Sequence, residues 1–312
     1  MYTVHFQRCD RPFRPPLHTH YGVWSVRQSI LVQLRDGDGR SGWGEIAPLS
    51  WFGSETLEQA WDFCVQLPVQ IRRETIFSIP GSLPACQFGF ESAWEALNQD
   101  RINISIPALP HCGLLPAGCN ALAQWPELLS LGYRTLKWKM GVLPIAEELS
   151  IFRLLCQELP TGIQLRLDAN GGLSIASAHL WLRTCDPTRV EFLEQPLPPP
   201  ELETMQELAR QYPTPLALDE SIANLQQLKA CYQQGWQGIY VIKPAISGSP
   251  AQLRQFLRSH SIDVVFSTVF EGAIGREAAL KIAAEFAQNG RAVGFGINHW
   301  FADAESQPGK GM

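Results

Sequence analysis

Leu136-Lys137-Trp138-Lys139, Leu165-Arg166-Leu167-Asp168, Val190-Glu191-Phe192-Leu193-Glu194, Leu216-Ala217-Leu218-Asp219 and Ile239-Tyr240-Val241-Ile242-Lys243 are five short apolar segments, each ending on a charge. From Asp168 through Glu194, Asp219 and Lys243 to Ser267 the position numbers advance by 26, 25, 24 and 24. A unit of strand, loop, helix and loop repeating at that period describes a β/α barrel better than an open sheet. Further strand ends are expected at Asn120, Lys139 and Gly296. The stretches 174–184, 202–211, 224–234 and 250–259 carry apolar residues at three- and four-residue spacing, as helices packed on one face do. Pro196, Pro198, Pro199 and Pro200 form a stiff loop leading into one of them.

Upstream of the repeat, residues 1–105 read as a mixed α and β module. Residues 28–34 are expected to be a strand, 35–40 a hairpin turn and 41–45 its return. Residues 55–67 have helical spacing, with Leu57, Ala60, Trp61 and Cys64 on one side and Ser54 as the expected N-cap, and 87–97 form a second helix. The barrel is expected over 106–296, with about 297–312 packing back on the first module.

With 312 residues, 45% hydrophobic and 18% charged, the chain has the make-up of a soluble globular enzyme. A net charge of −5 with scattered Lys and Arg gives no electrostatic footprint for nucleic acid or an anionic membrane. No leader-like start and no run of the ~18 apolar residues needed for a spanning helix is evident, so the expected location is the cytoplasm. The eight cysteines form no CxxC pair and are read as reduced thiols.

In a barrel, chemistry is carried at the C-terminal strand ends. Asp168, Glu194 and Asp219 come from three successive strands, and an all-carboxylate oxygen set favours Mg²⁺, with Mn²⁺ as a substitute, over Zn²⁺. Strand alternation puts Lys137 on the face of Lys139, and Arg166 on that of Asp168. Lysines on either side of the acids would face each other across the opening. A carbon acid beside a carboxylate resists deprotonation because its product is an enediolate dianion, which a divalent cation stabilises. The expected ligand is therefore a small-molecule carboxylate, with Lys139 taking its proton.

The sequence here resembles the enolase superfamily, which joins an N-terminal α+β capping domain to a (β/α)7β modified TIM barrel and uses a lysine base with Mg²⁺. Lys137-Trp138-Lys139 matches the KxK motif of its muconate-lactonizing-enzyme subgroup, Asp168, Glu194 and Asp219 match the ligands within DAN, EQP and LDE, and Lys243-Pro244 matches the sixth-strand lysine. Within that subgroup, the stretch 42–49 followed by Glu55-Thr56-Leu57, and Ser267-Thr268 with Glu271 and Gly275, resemble the o-succinylbenzoate synthase family. The resemblance implies syn dehydration of 2-succinyl-6-hydroxy-2,4-cyclohexadiene-1-carboxylate, a step towards menaquinone or phylloquinone. Lys139 would be base and then acid, Lys243 would stabilise the opposite face by a cation–π contact, and Lys137 would tune Lys139. The substrate would be enclosed by His18, Thr19, His20 and Tyr21 and by the loop with Trp51 and Phe52. Ser267, Thr268 and the backbone at Gly294 would hold the succinyl carboxylate, with Arg166 and Asn170 among the binding residues. The chain departs from the family where Trp51-Phe52 replaces Pro-Gly-Phe and where Thr268-Val269 interrupts a serine-rich run.

Two lysines on opposite faces also suit an N-succinylamino acid racemase or another epimerase of the superfamily. The DxD pair of dipeptide epimerases is absent from the stretch 294–299. A metal-binding regulatory barrel without catalysis is disfavoured, because three clustered acids are costly to keep together without a cation.

Overall fold

The computed structural model describes residues 1–19, 22–98, 108–185, 189–287, 290–297 and 300–301. The chain begins with β1 (Tyr2–Thr19), β2 (Gly22–Arg35), β3 (Ser41–Ile46) and, after α1 (Leu57–Gln66), β4 (Gln70–Ile71); α2 (Arg73–Phe77) and α3 (Pro84–Asn98) follow. The strands make a four-stranded antiparallel sheet in the order β3-β2-β1-β4. The hairpin between β2 and β3 closes where the Asp36 carboxylate accepts from the backbone N–H of Asp38 (3.0 Å) and Arg40 (2.9 Å), with Gly39 at φ 81°.

The glycines around Trp43 have a steric cause. β3 lies so close to α3 that a Cβ on Gly44 would stand 1.9 Å from the Gly89 carbonyl oxygen, and one on Gly42 2.2 Å from that of Ala93. The expected cap of α1 is corrected by two residues. Thr56 and Gln59 form a capping box, whereas the Ser54 hydroxyl accepts from the Leu49 backbone N–H at 2.6 Å and closes the loop that precedes the helix.

The remaining strands are β5 (His111–Leu115), β6 (Thr135–Lys139), β7 (Gln164–Asp168), β8 (Val190–Glu194), β9 (Leu216–Leu218), β10 (Ile239–Ile242), β11 (Val264–Phe266) and β12 (Val293–Gly296). Between them run α4 (Asn120–Ser130), α5 (Ile145–Glu158), α6 (Ile175–Thr184), α7 (Leu202–Gln211), α8 (Leu225–Gln233), α9 (Pro244–Ser247), α10 (Pro250–Ser259) and α11 (Ala273–Phe286). The eight strands pair in parallel in the order β11-β10-β9-β8-β7-β6-β5-β12, and a parallel bridge from Ser267 to Gly294 closes the ring. This is the expected (β/α)7β barrel. Its interior is filled by Phe192, Ala217, Ile239, Val241 and Val265, and its helices pack through buried residues such as Trp138 and Trp181, whose rings meet edge to face.

Asn120 does not end a strand. The first barrel strand stops at Leu115, and Gly118 at φ 68° turns the chain into α4, which Asn120 opens. The expected module boundary near residue 105 lies outside the described residues. So does most of the tail, although Phe301 bridges back to Phe13 in the first module and stacks on its ring at 4.8 Å. Among the described residues no helix is long and apolar enough to cross a membrane, and all eight cysteines are free.

Candidate active site

Strand register explains how the charged residues meet. Lys139 stands opposite Asp168 and Asp168 opposite Glu194, one row across three strands at their C-terminal ends. Asp219 and Lys243 each follow their strand by one residue. Gln195 fixes the backbone beyond: its side-chain oxygen accepts from Asp219 N–H (2.9 Å) and Ser221 N–H (3.1 Å), and its amide donates to the Ser221 hydroxyl (2.7 Å).

A cavity of about 150 Å³ opens there, lined by Lys137, Lys139, Asp168, Glu194, Asp219 and Lys243 below and by Leu17, Trp24, Leu49, Trp51, Phe52 and Phe270 above. Asp168, Glu194 and Asp219 are only 1%, 1% and 2% exposed. The Lys137 ammonium donates to Asp168 and Glu194, at 2.7 Å each, and Lys243 pairs with Asp219. Lys139 donates to the Asn170 side-chain oxygen at 2.8 Å, and the Asn170 amide donates to Glu220 at 3.0 Å.

The electrostatics follow from burial. Desolvation pushes Glu194 up to about 8, helped by the charge of Asp168 and opposed by Lys137. Asp219 is raised by burial despite Lys243. Asp168 goes the other way, since Lys137 and Lys139 outweigh its burial. Lys137 is itself desolvated, yet Asp168, Glu194 and Asp219 hold it well above the ordinary lysine range.

Four carboxylates, counting Glu220, thus share the cavity with three ammoniums, and one Glu220 oxygen is buried without a partner. Among the described residues no three His, Cys, Asp or Glu side chains close on a single point at metal distance; Lys137 and Lys243 stand on the acids instead. The donor set is nevertheless all-oxygen, buried and short of positive charge, which fits a hard divalent cation.

The other expected residues divide. Ser267, Thr268, Gly294, Asn170, Trp51 and Phe52 all line the cavity. The Lys243 ammonium reaches up to the face of the Phe52 ring, 3.9 Å from Nζ to ring centroid. Thr268 is partly committed elsewhere, its hydroxyl donating to Glu271 at 2.8 Å. Arg166 reaches the cavity floor, but its guanidinium pairs with Glu191 (2.7 Å), which Arg291 also holds (2.8 Å), and lies over the Phe192 ring. These pairs tie it to the barrel floor while it still lines the cavity. His20 and Tyr21 lie outside the described residues. Glu220 and the apolar roof of Leu17, Trp24, Leu49 and Phe270 were not anticipated; for Glu220 the signal was its place directly after Asp219 in LDE.

Comparison with known proteins gives two family matches: "Enolase C-terminal domain-like" over residues 120–308 and "MenC, N-terminal domain" over 12–97. The o-succinylbenzoate synthase of Thermosynechococcus vestitus is 40% identical over 296 residues, covering 93% of this chain and 91% of that protein. The enzyme of the same name from Yersinia pseudotuberculosis is 31% identical, covering 91% of this chain and 87% of its own length. Among solved structures, o-succinylbenzoate synthase from Thermosynechococcus elongatus BP-1, complexed with Mg in its active site, superposes with a TM-score of 0.90 at 38% identity, covering 97% of this chain and 96% of that one.

Proposed function

Because the chain belongs to the enolase superfamily and, within it, to the o-succinylbenzoate synthase family, we propose that its cavity carries out the syn dehydration of 2-succinyl-6-hydroxy-2,4-cyclohexadiene-1-carboxylate to o-succinylbenzoate. The enzyme is a hydro-lyase, and its product lies on the route to menaquinone or phylloquinone. The observation that carries the reading is the juxtaposition of Lys139 and Lys243, from separate strands, with three buried carboxylates under an apolar roof.

Asp168, Glu194 and Asp219 would hold Mg²⁺, or Mn²⁺ as a substitute, which when bound supplies positive charge against the substrate carboxylate as negative charge builds on it. Lys139 Nζ, entering the step as the neutral amine after giving up its own proton to solvent, takes the proton from the carbon beside that carboxylate, oriented by its bond to Asn170. The same nitrogen, now carrying the proton, returns it to the departing hydroxyl on the same face, so that water leaves and the ring becomes aromatic. Lys243 keeps its proton and faces the other side of the ring; its contact with the Phe52 ring supports this preference for an aromatic face. Lys137 holds Asp168 and Glu194 in place.

Ser267, Thr268 and the backbone at Gly294 receive the succinyl carboxylate, while Trp51 and Phe52, with His20 and Tyr21, keep water out. In the same reading residues 1–105 form the capping domain and 106–296 the barrel, and the bridge from Phe13 to Phe301 supports the return of the tail onto the cap. The setting in this reading is the cytoplasm, with the eight cysteines as reduced thiols.

The test is formation of aromatic product, followed by absorbance with Mg²⁺ present, in wild type, Lys139→Ala and Lys243→Ala. Wild type turns over; loss of the general acid and base costs about 10²–10⁴-fold in Lys139→Ala. A wild type that forms no product would sink the assignment, and solvent deuterium entering the α carbon of N-succinylamino acids would then favour the racemase.

A further inference from the structure

We propose that Arg27 is a positioning residue that sets the distance between the two walls of the substrate compartment, tying the loop that carries Trp51 and Phe52 to the segment that carries Thr268 and Phe270. The inference rests on the reading of the cavity given above. Arg27 lies in β2 and is buried. A buried cation ordinarily takes a carboxylate partner. The guanidinium of Arg27 instead spends its donors on main-chain carbonyls: Ala47 (2.6 Å) and Pro48 (2.9 Å) at the root of the aromatic loop, Val269 (2.9 Å) beyond β11, and Gln28 (2.8 Å).

The nearby acids do not reach the fork of Arg27. Glu45 accepts from the N–H groups of Gly272 and Gly275, and Glu271 takes the Thr268 hydroxyl and the Val269 N–H on one oxygen, its other oxygen having no hydrogen-bond partner. They offset the charge of Arg27 while leaving its fork to the carbonyls. A planar group with five fixed donors can span carbonyls approaching from two sides; an ammonium cannot. The segment so held is strained: Phe270 has φ 61°, a left-handed backbone that a non-glycine residue keeps only when its surroundings impose it. Trp24, three residues before Arg27, meets the guanidinium at 5.4 Å and packs edge to face on both Trp51 (4.7 Å) and Phe270 (5.7 Å). The two walls therefore share one aromatic joint in front of the guanidinium and three of its hydrogen bonds behind.

The experiment compares full-length wild type, Arg27→Met and Arg27→Lys by steady-state kinetics on the cyclohexadiene substrate and by amide hydrogen exchange read by mass spectrometry. In Arg27→Met, KM rises by about tenfold or more while kcat falls by less than about threefold, as expected when charged hydrogen bonds that order a binding wall are lost. Exchange rises in residues 47–53 and 267–272 and stays at the wild-type rate in strands β7 and β8. Arg27→Lys shows the same split to a smaller degree. An unchanged KM, or exchange that rises equally in β7 and β8, overturns the proposal. Should Arg27→Met not fold, Arg27→Lys carries the test, and a wild-type KM in it overturns the proposal. Should wild type itself show no turnover, the functional reading fails, and the exchange pattern alone decides the role of Arg27.

Discussion

Replacing Lys137 with methionine removes one charge and keeps most of the side chain's length. The ammonium stands 2.7 Å from both Asp168 and Glu194, each only 1% exposed. Taking away one partner of a buried ion pair leaves the other uncompensated, at about 3–5 kcal/mol. At about 2–4 °C per kcal/mol for a chain of this class, the melting temperature without Mg²⁺ should fall by about 6–20 °C. The loss should be partly reversible by a cation. A ligand at 100 times its Kd adds about 2.7 kcal/mol, and in the variant Mg²⁺ no longer competes with an ammonium for the same two carboxylates. Melting curves of both proteins with and without saturating Mg²⁺ measure this directly: the Mg²⁺-induced rise should be larger in Lys137→Met than in wild type. A variant that melts within about 1 °C of wild type without Mg²⁺, or an equal rise in both, would falsify the claim that Lys137 balances a buried acid cluster.

Two further outcomes test the frame. Gly44→Ala puts a Cβ 1.9 Å from the Gly89 carbonyl oxygen, and separating β3 from α3 should cost about 1–3 kcal/mol; a wild-type melting temperature would contradict that close approach. Glu191 is held below its ordinary 4.5 because Arg166 and Arg291 outweigh its burial. A depressed carboxylate contributes stability that is complete above the unfolded value and lost as pH falls through the folded one. Wild type should therefore lose stability on acidification below about 4.5 more steeply than Glu191→Gln, and parallel slopes would rule out the pairing.

The metal-ligand candidates and the barrel were legible together because both are written in local pattern: an apolar run, a charge at its end, and a constant period. What failed was non-local. Ser54 and Thr56 are both good caps by type, and only the approach of Leu49 assigns Ser54 to the loop. Arg166 shares a face with Asp168 and lines the cavity as expected of it, but the register shift after Leu165 that brings its partner Glu191 alongside is not visible in any local pattern. Arg27 looks like an ordinary strand residue, and the carbonyl that gives it a role lies 242 positions away. Asn120 was misplaced because a short apolar stretch before it resembles a strand when the turn at Gly118 is not known.

The close pairing of sheet module and barrel also bears on how such a protein can be altered. Glu45 accepts from the first N–H groups around α11, Glu91 from the Ala251 N–H near the start of α10, and Arg254 of α10 pairs with Glu95 of α3. Helices formed by the last third of the chain thus take their N-terminal partners from its first third. A barrel supplied with a foreign cap would keep its strand-end chemistry on paper yet lose the Glu45 acceptor at the start of α11 and the Glu91 acceptor at the start of α10, where only the local Ser249 cap would remain. Recombination between relatives can therefore exchange the cap only if acceptors equivalent to residues 45 and 91 travel with it.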